Sequence, residues 1–184
     1  MIRFLSIFRS FSAFLLIVTI MLTAVSCRSH KPEKGSDKDK EQTVMADVKK
    51  NDKKGNRKVV EEARTWLGTP YGYAMAEKGV GTDCSGMVML VYQESANCKL
   101  PRNSARQAEF CNRIESEDVM PGDLVFFATG KDPERISHVG IMLDDVNFIH
   151  ASTKKGVVIS KVNTPYYMRT FKMFGRVPRG KSAD

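Results

Sequence analysis

No apolar run in this 184-residue chain is long enough to cross a bilayer. The longest, Phe11–Leu22, has 12 residues, against the roughly 20 that a membrane helix needs. It follows Arg3 and Arg9 and leads into Thr-Ala-Val-Ser-Cys27, so residues 1–27 read as a cleaved export signal. Residues 28–55 contain no aromatic residue and hold nine Lys/Arg against six Asp/Glu. Such a segment cannot bury enough apolar surface to offset the entropy of ordering, and is expected to be a flexible tether. A strong excess of charge is also missing from the remainder. The formal net charge is +8, but residues 56–184 hold 18 basic against 15 acidic side chains and carry only +3. Nucleic acid is therefore not an expected partner. Close ligand pairs such as C-x-x-C or H-x-x-x-H do not occur. That counts against a metal, with a zinc site built from Cys84, His138 and His150 as the metal alternative.

The 129 residues from 56 to 184 suffice for one core and show no internal repeat. In "RKVVEEARTWLG", Val59, Val60, Ala63, Trp66 and Leu67 fall at helical spacing and Gly68 ends the run. "TPYGYAMAEKGVGT" reads as loop. A second helix is expected from Cys84 to about Ala96, and a short third one in "LPRNSARQAEFCNRI" behind an Asn/Ser cap. After Pro121 the pattern changes to short β-rich runs: "GDLVFFA", "SHVGIML", "VNFIHAS", "GVVISKV" and "FKMFGRV". Helices first and strands later imply an α+β domain, with N-terminal helices packed on a C-terminal antiparallel sheet.

A thiol at a helix start has chemical consequences. Thr82 or Asp83 can cap the second helix, which leaves Cys84 in its first turn. Unpaired N–H groups and the helix dipole favour negative charge there, so the thiol is expected to lose its proton more easily. The same N–H groups suit an oxyanion, and Gly86 admits close approach of substrate or another backbone. A thiol nucleophile needs a base, and His138 and His150 are the histidines of the domain. They stand at opposite ends of a strand pair that turns at Asp144, Asp145 and Val146. Reflection about Asp144 sets them face to face. A small change of register makes them diagonal neighbours on one face, because their separation is even. His138 is assigned as base and His150 as its orienter. Of the other thiols, Cys98 and Cys111 either pair, as an oxidising compartment permits, or remain buried and free.

The blocks "GTPYGY", "GTDCSGMVMLVY", "LPRNSARQ", "MPGDLVFF", "ISHVGIML" and "FIHAS", in this order, resemble the NlpC-type cell-wall cysteine peptidases across residues 57–178. The resemblance implies a papain-like α+β core, with Cys84 as nucleophile, His138 as base and His150 as the third polar residue. It implies Tyr71 near the reacting carbonyl, and Asp83 and Ser85 as substrate contacts. Arg102 and Ser104 are expected to support the core, and Asp123 a turn. The implied reaction hydrolyses an amide of peptidoglycan stem peptides: the γ-D-glutamyl–diaminopimelate bond or the D-alanyl–diaminopimelate cross-link. No cofactor is required, and a monomer is expected. One departure stands out: Ala74-Met75 occupies the place where members usually carry a Gly-Gly pair.

The ending Ala-Val-Ser-Cys27 resembles a bacterial lipobox, although Ala24 stands where Leu is usual. It implies lipidation of Cys27 and an anchor in the cell envelope, on an outer membrane facing the periplasm. Two other functions fit the same residues. One is a Cys/His amidase or acyltransferase, which shares the thioester but differs in what attacks it. The other is a non-catalytic wall-binding lipoprotein.

Overall fold

The computed structural model describes residues 55–183. The expected export signal, Cys27 and all of the tether but Gly55 lie outside the described residues, as does Asp184.

Helix α1 (Arg57–Arg64) opens on Asn56, whose side chain accepts from the Val59 N–H. It buries Val59 and Ala63. Trp66, just beyond its end, is fully buried, whereas Leu67 is 45% exposed and does not share the apolar face expected of it. The loop that follows contains a tight ribbon of β1 (Ala76–Glu77) and β2 (Gly81–Thr82). Helix α2 spans Cys84–Ala96 and buries Met87, Val88, Val91 and Tyr92 along one stripe. It stops where Asn97 takes a left-handed conformation (φ 47°). Helix α3 (Ser104–Phe110) starts at Asn103, whose side chain accepts from the Arg106 N–H.

The sheet contains β3 (Asn112–Ile114), β4 (Leu124–Phe127), β5 (His138–Met142), β6 (Asn147–Ser152), β7 (Gly156–Lys161) and β8 (Phe171–Arg176). Their order is β3-β8-β4-β5-β6-β7, and every neighbouring pair is antiparallel. The α+β expectation is met, with two additions. Strand β3 falls in the stretch expected to continue α3, and a short helix α4 (Pro165–Thr170) precedes β8. Both faces of the sheet are covered, which explains the unbroken apolar run of β4. Leu124 and Phe126 pack toward the helices with Met87, Val88 and Val91. Val125 and Phe127 join a second cluster with Met142, Phe148 and Phe174. The expected turn role of Asp123 takes the form of an ion pair between its buried carboxylate and the partly exposed Arg176. Its carboxylate accepts the Met120 N–H at 2.8 Å and two bonds from Arg176 at 2.9 and 2.8 Å.

The β5–β6 hairpin sets the position of the histidines. Its register pairs Ile141 with Ile149 and Met142 with Phe148, so the reflection runs about Asp145 rather than Asp144. The Asp144 side chain fixes that turn by accepting the Val146 N–H at 2.9 Å and the Asn147 N–H at 2.6 Å. The same register sets Gly140 opposite His150. A Cβ at Gly140 would lie 2.5 Å from Phe148 Cδ2, 3.0 Å from the Ile149 carbonyl oxygen and 3.2 Å from His150 Cβ. Gly140→Ala is expected to cost about 1–3 kcal/mol through overpacking. A urea denaturation curve checks this, and a midpoint equal to that of the parent would contradict it.

Candidate active site

Asp83 is the N-cap of α2: its Oδ1 accepts the Gly86 N–H at 2.7 Å. Cys84 is therefore the first helical residue. Its sulfur receives the backbone N–H of Val139, and the N–H groups of Ser85 and of Cys84 itself also favour its anion. Val139 directly follows His138, so the sulfur meets β5 one residue from the imidazole. The β5–β6 ladder pairs residues 141 and 142 with 149 and 148, toward the turn, and the Val139 N–H is directed at sulfur instead.

The two imidazoles share the sheet face of Met142 and Phe148. They are diagonal neighbours joined by a bond of 2.8 Å between His138 Nε2 and His150 Nδ1. His150 is 2% exposed and stacks on Phe148, with ring centroids 4.8 Å apart. Its Nε2 meets Ser160 Oγ at 3.0 Å and Tyr167 Oη at 3.1 Å. With Nε2 of His138 engaged by His150, Nδ1 is its other ring nitrogen.

A polar cluster holds the other side of the helix start. Arg102 grips the Asp83 carboxylate with bonds of 2.9 and 2.7 Å. It also donates to Ser85 Oγ at 3.1 Å and to the Met75 carbonyl at 3.3 Å. The expectation of core support suits Ser104, which is buried. It does not suit Arg102, whose side chain is 42% exposed and acts through these polar contacts. Gln107, fully buried, donates to the carbonyls of Ser85 and Pro101. Gly86 admits a backbone: a Cβ there would lie 2.5 Å from the Met75 carbonyl oxygen. Tyr71 bridges to Thr82 beside the cap. Burial raises its hydroxyl pKa first, and the charge of Asp83, together with that of Cys84 when the thiol ionises, raises it further.

The electrostatics correct one expectation. Burial pushes the Cys84 thiol up to about 11, and the Asp83 charge adds to this; the three N–H groups do not outweigh it. The helix start favours the thiolate locally, and the packing around the sulfur opposes it more strongly. Burial also pushes His138 down to about 4 and His150 to about 3, so thiol and imidazoles are neutral at pH 7. Asp83 behaves differently. Burial alone would raise its carboxyl pKa, but Arg102 and the Gly86 N–H hold it below its usual range. Cys98 and Cys111 are free thiols, and burial pushes Cys111 up to about 12. Among the described residues, no group of three or more His, Cys, Asp or Glu side chains could hold a metal ion.

Of the residues singled out in the sequence, Cys84, His138, His150, Tyr71, Asp83 and Ser85 gather around the start of α2 and the open end of the β5–β6 hairpin. Ser160 and Tyr167 were missed. Ser160 carries a signal in hindsight, because β7 pairs Phe148 with Ser160 and His150 with Val158, which makes Ser160 a same-face diagonal neighbour of His150. Tyr167 arrives on α4, whose six residues are too short for a periodic pattern.

Two measurements follow from this charge state. Folding keeps both imidazoles unprotonated below the ordinary histidine value of 6.5. Their contribution to stability is thus complete above about 6.5 and is lost as pH falls through about 4 and then 3. Thermal melts should show the midpoint dropping across that window, and less steeply in His150→Asn; a flat midpoint would contradict the neutral pair. Alkylation of Cys84 by iodoacetamide, followed by peptide mapping, should climb about tenfold per pH unit and still be rising above pH 9. A plateau reached by pH 7 would show a thiolate instead.

A model of the NlpC/P60 family matches residues 68–176. The chain is 34% identical over 165 residues to the Escherichia coli K12 protein named probable endopeptidase NlpC, covering 89% of this chain and 97% of that protein. It is 33% identical over 120 residues to the E. coli K12 protein named murein DD-endopeptidase MepS/murein LD-carboxypeptidase, covering 65% of this chain and 62% of that protein. A crystal structure of an NlpC/P60 family protein from Bacillus cereus superposes with a TM-score of 0.61 at 29% identity, over 67% of this chain and 40% of that one.

Proposed function

The chain belongs to the NlpC/P60 family of cysteine peptidases, and from that premise we propose that it is a peptidoglycan endopeptidase in which Cys84 is the nucleophile, His138 the base and His150 its orienter. The observations that carry this reading are two contacts at the start of β5. The Cys84 sulfur meets the strand that bears His138, and His138 Nε2 is held at 2.8 Å by His150 Nδ1.

Both reacting groups start neutral, so the thiol gives its proton to His138 Nδ1 as sulfur attacks the amide carbonyl carbon. The N–H groups at the start of α2 face the developing oxyanion. The tetrahedral intermediate expels the amine, which takes the proton from His138, and leaves a thioester. Water then attacks with His138 as base, and sulfur leaves as the thiol. Tyr71 borders the reacting carbonyl, and Asp83 and Ser85 contact the peptide. Residues 56–184 form the catalytic domain. Residues 28–55 let it reach the wall from a lipid anchor on Cys27, on an outer membrane facing the periplasm. The substrate is an amide of the stem peptide or of its cross-link.

Incubation of the protein with purified muropeptides, read out as product masses, tests the reading. Hydrolysis adds water across one amide, whereas an acyltransferase would give a ligated product. Cys84→Ser should abolish turnover with the fold intact. His138→Ala should lose on the order of 10²–10⁴ in kcat and more than His150→Ala. Turnover by a folded Cys84→Ser would refute the nucleophile. Sacculi bound equally by parent and Cys84→Ala, with no peptide released by either, would point to a binding protein.

A further inference from the structure

Resting on the proposed peptidase reading, we infer that the cleft between α3 and the β4–β5 loop is a subsite for a free carboxylate of the peptide substrate, with Lys131 and Arg135 as its cations.

Either proposed substrate bond has a free carboxylate beside it. A γ-D-glutamyl bond runs through the side-chain carboxyl and leaves the α-carboxylate free. A D-alanyl–diaminopimelate cross-link leaves a free carboxylate on the carbon that bears the linked amine. The start of α2 is a poor partner for that charge. Asp83, held below its usual range, is ionised at pH 7 and would repel it. Arg102 has both terminal nitrogens engaged, by Asp83, Ser85 and the Met75 carbonyl.

An open cleft of about 700 Å³ adjoins this region. One wall is the start of α3, where Asn103 and Ser104 directly follow Arg102. The other is the loop over residues 130–137, which runs straight into His138. Each wall is thus continuous in the chain with a residue of the candidate site.

The charged side chains that line the cleft are Arg106, Lys131 and Arg135 against Glu109 and Asp132. Arg106 has a partner already, since it lies 3.8 Å from Glu109. Oδ1 of Asp132 accepts the Glu134 N–H at 2.9 Å, and Glu134 pairs in turn with Lys172 at 3.1 Å. Among the described residues, the side chains of Lys131 and Arg135 make no ion pair or hydrogen bond. Their loop is braced. Ser137 Oγ accepts the N–H groups of Thr129 at 2.9 Å and of Gly130 at 3.0 Å, and Ile136 packs against the helix-side core. A braced base lowers the ordering cost that exposed ion pairs otherwise carry. The guanidinium fork of Arg135 matches a carboxylate, and Lys131 adds a point charge.

Muropeptides that contain each amide, with the adjoining carboxylate free or converted to the carboxamide, test the subsite. Isothermal titration calorimetry with full-length Cys84→Ala reads their binding without requiring turnover. The free acid of at least one should bind on the order of tenfold more tightly than its carboxamide, the scale of two exposed ion pairs. That gap should shrink at high salt and close in Lys131→Gln/Arg135→Gln on the same background. The peptide that shows it identifies the source: the γ-D-glutamyl residue on the acyl side or diaminopimelate on the amine side. With Cys84 intact, the double variant should raise KM for that peptide by a similar factor. Equal affinity for acid and carboxamide in both peptides overturns the inference, as does a gap that survives in the folded double variant, or no binding of either peptide. The carboxamides probe the contact without altering the protein, so they decide alone if the double variant fails to fold. Carboxylate-dependent binding with no product from the wild type would keep the subsite and count against the peptidase reading. Hydrolysis of acid and carboxamide at equal kcat/KM would keep the peptidase and count against the subsite.

Discussion

The bond between His138 and His150 is the constraint to which the rest of the site answers. Two strands must bring imidazoles from opposite ends of a hairpin to 2.8 Å, in an orientation that leaves one ring nitrogen free. A slip of one residue would send one of the rings to the other sheet face. The register is held from both ends. The Asp144 side chain clamps the turn, and Gly140 gives the His150 strand the room it needs opposite. Phe127, Phe148 and Tyr167 then close around the rings, so the geometry of the histidine pair and the packing of the outer sheet face are one problem.

That packing determines the charge state. The cluster that orients the imidazoles also removes water from them and from the sulfur. Burial raises the thiol and lowers both histidines, so each is held in its neutral form. On the proposed assignment of nucleophile and base, a neutral thiol can still react, provided the proton moves as the carbon–sulfur bond forms. On that assignment the N–H groups of the helix start act on charge that develops during the reaction, rather than on charge present beforehand.

Much of this was legible in the sequence, for identifiable reasons. Helix α2 was placed from Cys84 to about Ala96 because Thr82 or Asp83 can cap it and no proline interrupts its apolar run. Five strands were placed because each is apolar, short and bounded by turn residues. The even spacing of His138 and His150 put them on one face under either register. What escaped detection was set by neighbours far away in the chain. Strand β3 has three residues and exists through its pairing with β8. Helix α4 is six residues long, so Tyr167 had no pattern to announce it. The thiol was expected to be acidic because a helix start is a local feature, whereas the burial that overrides it comes from the sheet.

The loop that departs from the family pattern shows how such differences are absorbed. Ala74 takes a positive φ of 57°, a conformation that a glycine would adopt without strain. The backbone nevertheless delivers the Met75 carbonyl to the start of α2, where it accepts from the Asp83 N–H at 3.0 Å and from Arg102 at 3.3 Å. Because that oxygen rests against Gly86, the loop and the helix start are locked into one unit. Arg102 ties the same unit to the cap through Asp83. These contacts to the Met75 backbone and the Asp83 carboxylate offset the strain at Ala74. The start of α2, which bears the thiol, is thereby held in place by backbone and cap contacts.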